Sequence, residues 1–167
     1  MFKVIDNFLD INEFNIIKEN FFGNNFPWYF QDRKDLEEED KENQRELNQS
    51  QFTHVFYVDH KPNSSQFDII QPLLKKLKVK SLIRIKANLI PYSPKLYEGY
   101  FHTDNTFPCL SAIYYINTNN GYTRFEKNNK KVESKENRIV MFNSILKHRG
   151  TNTTNQKKRI VLNLNYF

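Results

Sequence analysis

His102-Thr103-Asp104, His148 and Arg159 are the residues whose types and spacing can do chemistry in this chain. Two imidazoles and one carboxylate are the donor set of a facial triad, which grips a non-haem Fe(II) on one side and leaves positions open on the other. Side chains at i and i+2 of a strand point the same way. A strand over 100–104 would bring His102 and Asp104 to one metal, with His148 supplied by another strand folded back beside it. Arg159 lies in the strand-like run KKRIVLNLNYF, where its guanidinium could hold an acid cosubstrate next to the metal. A His-x-Asp alone carries little weight. The ensemble carries more, because His148 follows the strand-like RIVMFNSILK and the cation comes in the next strand.

Those residues need a β scaffold, and the sequence predicts one. FKVIDNFL (2–9) reads as a short opening strand or turn. Asp10 with Glu13 forms a capping pattern, and Phe14, Ile17, Phe21 and Phe22 follow at helical spacing, predicting a helix over 11–22. Trp28-Tyr29-Phe30 reads as strand or core. Residues 31–50 are charged and nearly free of large apolar groups, which predicts an exposed loop, either plain solvated chain or a lid. QFTHVFYVD (51–59) has strand composition, and 66–78 reads as a helix containing Pro72. From residue 80 the pattern is β: KSLIRIKANLI, GYFHTD, LSAIYYIN, TRFEK, RIVMFN and RIVLNLNYF, separated by Pro- and Asn-rich turns. The expected class is mainly β with N-terminal helices (α+β). It is read as one domain over 1–167, with 1–80 as support and 81–167 as a sandwich or jelly-roll core.

Composition sets outer bounds. The chain has 167 residues, 15 Phe and 9 Tyr, enough apolar material for one β-rich core. No apolar run approaches the length of a membrane span. The N-terminal MFKVIDNFLD lacks a signal-peptide h-region, and the single cysteine, Cys109, cannot form an internal disulfide. A cytoplasmic setting is expected, in a bacterium or encoded by a phage. The net charge of +6 is concentrated in KKLKVKSLIRIK (75–86), while DLEEEDKE (35–42) is acidic. That surplus admits nucleic acid as a partner, but a solvated surface is the simpler account of it.

The segment from about Ile85 to Phe167 resembles the Fe(II)- and 2-oxoglutarate-dependent oxygenases, and within them the prolyl-hydroxylase branch. Tyr92-Ser93-Pro94 through His102-Thr103-Asp104 is similar to the family's strand, loop and metal-binding strand. LSAIYYIN (110–117) resembles the next strand. Asn120-Gly121 with Phe125 resembles the Gly-Gly turn and strand, with Asn120 in place of the first Gly. RIVMF (138–142) with His148, then Arg159 and the ending Asn165-Tyr166-Phe167, complete the pattern. The resemblance implies a double-stranded β-helix core with iron on His102, Asp104 and His148. It implies 2-oxoglutarate chelating through its C1 carboxylate and keto oxygen, O2 at the last position, and Arg159 on the C5 carboxylate. Tyr92 and Tyr115 match positions where family members place tyrosines near the cosubstrate. Asn88 is a weaker candidate, and Asn163, four residues beyond Arg159, lies on the same strand face. The implied reaction is hydroxylation of a C–H bond on a peptide or protein residue such as proline, with succinate and carbon dioxide released. A nucleic acid or small metabolite is the alternative substrate.

Ordinary readings stand beside these. Tyr92 and Tyr115 can be core aromatics. Tyr114 and Tyr115 point opposite ways in a strand, so one of them faces inside. A one-residue slip would put Lys158 in place of Arg159. His54 and His60 are assigned to structure or surface, and Cys109 has no partner for nucleophilic chemistry. Two rival functions remain: a non-catalytic jelly-roll binding module, and a cupin-like metalloenzyme that uses no 2-oxoglutarate.

Overall fold

The computed structural model describes residues 2–31 and 50–167. Its first elements are β1 (Phe2–Ile5), α1 (Ile11–Phe22), β2 (Tyr29–Gln31), β3 (Gln51–Val58) and β4 (Lys61–Pro62). A 3-10 turn (Phe67–Ile70) then leads into α2 (Gln71–Leu77), followed by β5 (Leu82–Pro91) and β6 (Leu110–Tyr115). The chain closes with β7 (Tyr122–Phe125), β8 (Lys131–Glu133), β9 (Arg138–Asn143), β10 (His148–Gly150) and β11 (Lys158–Tyr166). Among the described residues, one sheet runs β1-β9-β6-β11-β5-β3-β2 with β4 beside β3, and a second runs β10-β7-β8. The strand pairs within both sheets are antiparallel. Two such sheets facing each other make a structure of the jelly-roll kind. No helix among the described residues is long and apolar enough to cross a membrane.

Strand alternation sorts the large sheet's side chains into two layers. One face packs on the helices: Phe14, Ile17 and Phe21 of α1 and Leu73 and Leu74 of α2 meet Phe56, Ile85, Ala87, Tyr114, Ile160, Leu162 and Leu164. Each fully buried side chain of this kind contributes about 1.5–3 kcal/mol. The other face turns Ile113, Tyr115, Val140, Phe142 and Val161 toward Phe125 and Val132 of the small sheet. Tyr114 goes to the helical layer, its ring against Phe8 and Phe14, and Tyr115 goes between the sheets.

Local chemistry explains the helix boundaries. Asp10 caps α1 by accepting from the Asn12 N–H. Pro72 sits in the first turn of α2, where its missing N–H costs nothing, so the expected helix over 66–78 splits into a 3-10 turn and a seven-residue helix starting next to Pro72. The expected strand over 100–104 is also corrected. Its ladder is reduced to an isolated bridge between His102 and His148, flanked by irregular chain. Apart from its end residues, the expected loop 31–50 lies outside the described residues.

Candidate metal and cosubstrate site

His102 and His148 are brought together by their own backbones. Each donates its N–H to the other's carbonyl, at 3.0 and 2.9 Å, and the Asp104 N–H reaches the Ser144 carbonyl at 3.0 Å. One bridge therefore does what a whole strand was expected to do. His102 and Asp104, two residues apart, face the same way, and His148 lies opposite. One ligand atom from each of the three falls within 4.8 Å of the others, so a single ion can be shared.

The tautomers follow from the backbone. His102 Nδ1 lies 3.1 Å from the Tyr100 carbonyl oxygen, and His148 Nδ1 lies 3.0 Å from that of Leu146. A carbonyl only accepts, so both Nδ1 atoms carry the proton and both Nε2 lone pairs are free for a metal. Burial pushes the His148 imidazole below its ordinary pKa, against the pull of Asp104, and keeps it neutral as a ligand must be. The 3.7 Å approach of His148 Nε2 to Asp104 Oδ1 thus sets two atoms that could share a metal side by side, with a neutral imidazole rather than an ion pair. Asp104 is itself oriented: Asn165 Nδ2 donates to Oδ2 at 3.2 Å and also to Ser111 Oγ at 2.8 Å. Partners of this kind fix a ligand's direction and raise metal affinity.

Arg159 is 2% exposed and lines the same cavity. Its Nε donates to Ser134 Oγ at 2.8 Å, and its guanidinium carbon lies 5.8 Å from the Tyr115 ring centroid. No carboxylate pairs with it among the described residues. Burial pushes its pKa down to about 10, so it is still charged at neutral pH. A buried guanidinium without a counter-charge is costly, and a ligand carboxylate would relieve it. Lys158 points to the opposite face, over the Phe22 ring, which settles the register in favour of Arg159.

The cavity is about 300 Å³ and is lined from both sheets. β5 and β11 supply alternate residues: Arg84, Lys86, Asn88 and Ile90 from one, Arg159, Val161 and Asn163 from the other. Thr123 closes it from β7 and Gly150 from β10. A donor set of two imidazoles and a carboxylate on a site with room beside it fits Fe(II), and the uncompensated Arg159 fits a carboxylate cosubstrate.

No protein-family model matches the sequence, and no curated protein does. Solved structures do match. A prolyl hydroxylase from Trichoplax adhaerens, solved with a hypoxia-inducible-factor oxygen-degradation-domain peptide fragment, is 16% identical with a TM-score of 0.65. That match covers 99% of this chain and 83% of the other. The viral collagen prolyl hydroxylase of Paramecium bursaria Chlorella virus-1, in complex with 2-oxoglutarate, is 15% identical over 98% of this chain and 94% of its own, with a TM-score of 0.63. An oxidoreductase of the 2-oxoglutarate–Fe(II) oxygenase family from Burkholderia pseudomallei is 12% identical over 99% and 84%, with a TM-score of 0.72. The chain has the fold of these oxygenases.

On this oxygenase fold the sequence-derived residues divide. His102, Asp104, His148, Arg159, Asn88 and Asn163 all line one cavity. Tyr115 lies beneath it, fully buried, donating its hydroxyl to Thr123 Oγ1 at 2.8 Å. Tyr92 is not brought to the site. It is 54% exposed and borders a shallow surface depression with Thr154 and Lys157, because β5 ends at Pro91 and its alternation ends there too. Ile90, the last inward residue of β5, faces the cavity instead. Sequence reasoning passed over Gln51, Arg84, Lys86, Thr123, Ser134 and Asn165. For Arg84 and Lys86 a signal existed: polar residues alternate with Ile85, Ala87 and Leu89 at the period of a strand.

Also missed was Glu98. Arg124 and Arg149 stand directly opposite in the β7–β10 register, an unfavourable pairing of like charges. Glu98 resolves it, accepting from Arg124 at 3.0 and 3.1 Å, from Tyr122 Oη at 2.6 Å, and pairing with Arg149. That clamp ties the chain leading to His102 onto the strand that begins with His148.

Proposed function

We propose that this protein is an Fe(II)- and 2-oxoglutarate-dependent dioxygenase that hydroxylates a C–H bond on a peptide or protein residue such as proline, releasing succinate and carbon dioxide. The observation that carries this reading is one cavity holding a His102–Asp104–His148 ligand set together with a buried arginine that lacks a counter-charge. When bound, iron would activate O2, the oxidant, while 2-oxoglutarate would give two electrons on its decarboxylation to succinate and the substrate C–H bond would give the other two. The chain's own residues then have defined tasks. His102, Asp104 and His148 hold the metal through Nε2, a carboxylate oxygen and Nε2. Arg159 holds the distal carboxylate of 2-oxoglutarate, with Ser134 fixing its Nε. Tyr115 props Thr123 and the arginine from below, and Tyr92 has no part in the site. Ile90, Ile113 and Val161 keep water from the cosubstrate. The likeness to prolyl hydroxylases, one of them solved with a peptide fragment, supports a peptide substrate.

The test is an anaerobic titration of metal-free protein with Fe(II) and 2-oxoglutarate, followed by the visible charge-transfer band of the chelate, with His148→Ala and Arg159→Gln as controls. A band in the wild type, abolished by His148→Ala and requiring far more 2-oxoglutarate in Arg159→Gln, is expected. Iron binding without any band would refute the 2-oxoglutarate reading and leave a metal site of another kind. Failure to bind iron would leave a jelly-roll binding module.

A further inference from the structure

The wall of the cavity formed by β5 carries charge that neither iron nor 2-oxoglutarate uses. Arg84, Lys86 and Asn88 face inward along it. The β5–β11 register sets Ile90 opposite Arg159 and Arg84 opposite Asn165, the residue that holds Asp104. The two arginines therefore mark opposite ends of the cavity. At about 3.3 Å per residue, Arg84 stands roughly 20 Å along the strand from the position paired with Arg159. With one end of 2-oxoglutarate on Arg159 and the other at the triad, Arg84 is left for a different anion. Its guanidinium has no hydrogen-bond or ion-pair partner among the described residues, and Lys86 adds positive charge to the same wall.

Two acceptors line the cavity at different levels: Asn163 pairs with Lys86, next along the wall from Arg84, whereas Gln51 precedes Phe52, the partner of Leu89, and so stands at the Ile90 end. Gln51 Oε1 and Asn163 Oδ1 are buried, line the cavity and accept no hydrogen bond, and Gln51 as a whole is 5% exposed. A buried carbonyl oxygen left unpaired is costly, and an arriving N–H would relieve it. A guanidinium with the unpaired Asn163 acceptor next along the same face suits a molecule with both a carboxylate and N–H groups. A peptide with an acidic side chain has both. A nucleic-acid backbone supplies the anion without an N–H beside it, its N–H groups lying on the bases.

We infer that the substrate is an acidic peptide segment. Arg84 binds an Asp or Glu carboxylate close to the reacting residue, and Asn163 accepts from an N–H group of the same segment. This rests on the site being a 2-oxoglutarate-dependent hydroxylase, so the Fe(II)–2-oxoglutarate band of the wild type is recorded first. The wild type is then incubated with Fe(II), 2-oxoglutarate, air and a randomised peptide library, and oxygenated products are sequenced by mass spectrometry. Asp and Glu should be enriched at a fixed offset from the oxygenated residue. That enrichment should fall about tenfold in Arg84→Gln, the loss of one charge-assisted contact, and be partly kept in Arg84→Lys, both variants being checked for folding by circular dichroism. A band with no oxygenated peptide, with products lacking acid enrichment, or with enrichment unchanged in Arg84→Gln overturns this inference and leaves the proposed function standing. A fluorescent single-stranded oligonucleotide that binds the wild type and is released by Arg84→Gln, without acid enrichment among peptides, assigns the wall to phosphate and also overturns it. Absence of the band overturns the proposed function and this inference with it.

Discussion

Gly121→Ala should damage the cosubstrate end of the cavity without touching a single ligand. A Cβ at Gly121 would stand 2.6 Å from Arg159 Cδ, 2.6 Å from the Asn152 carbonyl oxygen and 2.8 Å from Asn119 Oδ1. Gly121 does not have a positive φ, so the requirement is for space and not for backbone freedom. Neither neighbour can retreat easily. Asn152 is tied by its side chain to the Tyr97 N–H and the Lys95 carbonyl, both at 2.7 Å, and Arg159 is anchored through Ser134. Overpacking of this kind costs about 1–3 kcal/mol. The lower entropy of an unfolded alanine returns about 0.4–1 kcal/mol. A net loss of about 1.3 kcal/mol lowers Tm by about 3–5 °C in a chain of this size. Moving Arg159 off Ser134 should also weaken 2-oxoglutarate binding by about tenfold, the equivalent of one hydrogen bond to a charged group. Gly23→Ala is the control, because a Cβ there meets only the Glu19 and Asn20 carbonyls, at 3.2 and 3.3 Å, and Tm should stay within about 2 °C. Thermal melts and a 2-oxoglutarate titration read both effects. A Gly121→Ala protein that melts with the wild type and binds the cosubstrate as tightly would refute the steric reasoning.

Asn165→Ala removes the hydrogen bond that orients Asp104, and Fe(II) affinity should fall by about 10–100-fold in a metal titration; an unchanged affinity would mean that the carboxylate is held without it. Glu98→Gln leaves Arg124 and Arg149 facing each other, and after allowance for solvent screening the expected loss is about 1–2 kcal/mol, seen as a lower Tm that added salt partly restores. Burial holds the His54 imidazole below its ordinary 6.5, with the bond to the Pro27 carbonyl working the other way. The unfolded chain then takes up that proton first as pH falls, so stability is whole above pH 6.5 and is lost on the way down through the folded value. His54→Gln should flatten this part of the acid limb in melts recorded against pH, and an unchanged slope would place the titration elsewhere.

The grouping of His102, Asp104 and His148 was legible in the sequence because its geometry is local in kind. His102 and Asp104 need only two successive residues of extended chain, and one bridge supplies it. Arg159 and Asn163 were legible because β11 is long, central and regular over the stretch that carries them, so spacing translates into facing. Tyr92 failed because periodicity holds only while a strand lasts, and β5 stops one residue earlier. Glu98 and Asn165 could not be read from spacing at all. Each depends on which residues of distant strands stand opposite, and that register is a property of the folded sheets.

The mutual bridge of the two histidines has a consequence for the order of assembly. Each ligand's backbone is closed by the other's, across a long stretch of chain that includes β6, β7 and β9. A contact between residues so distant in sequence bears its loop-closure entropy late, after nearer strands have paired. The two histidines therefore gain or lose their backbone contact together. The amide protons of His102 and His148 form a matched pair for hydrogen exchange: they should open and close as one unit, and slow together when metal is added.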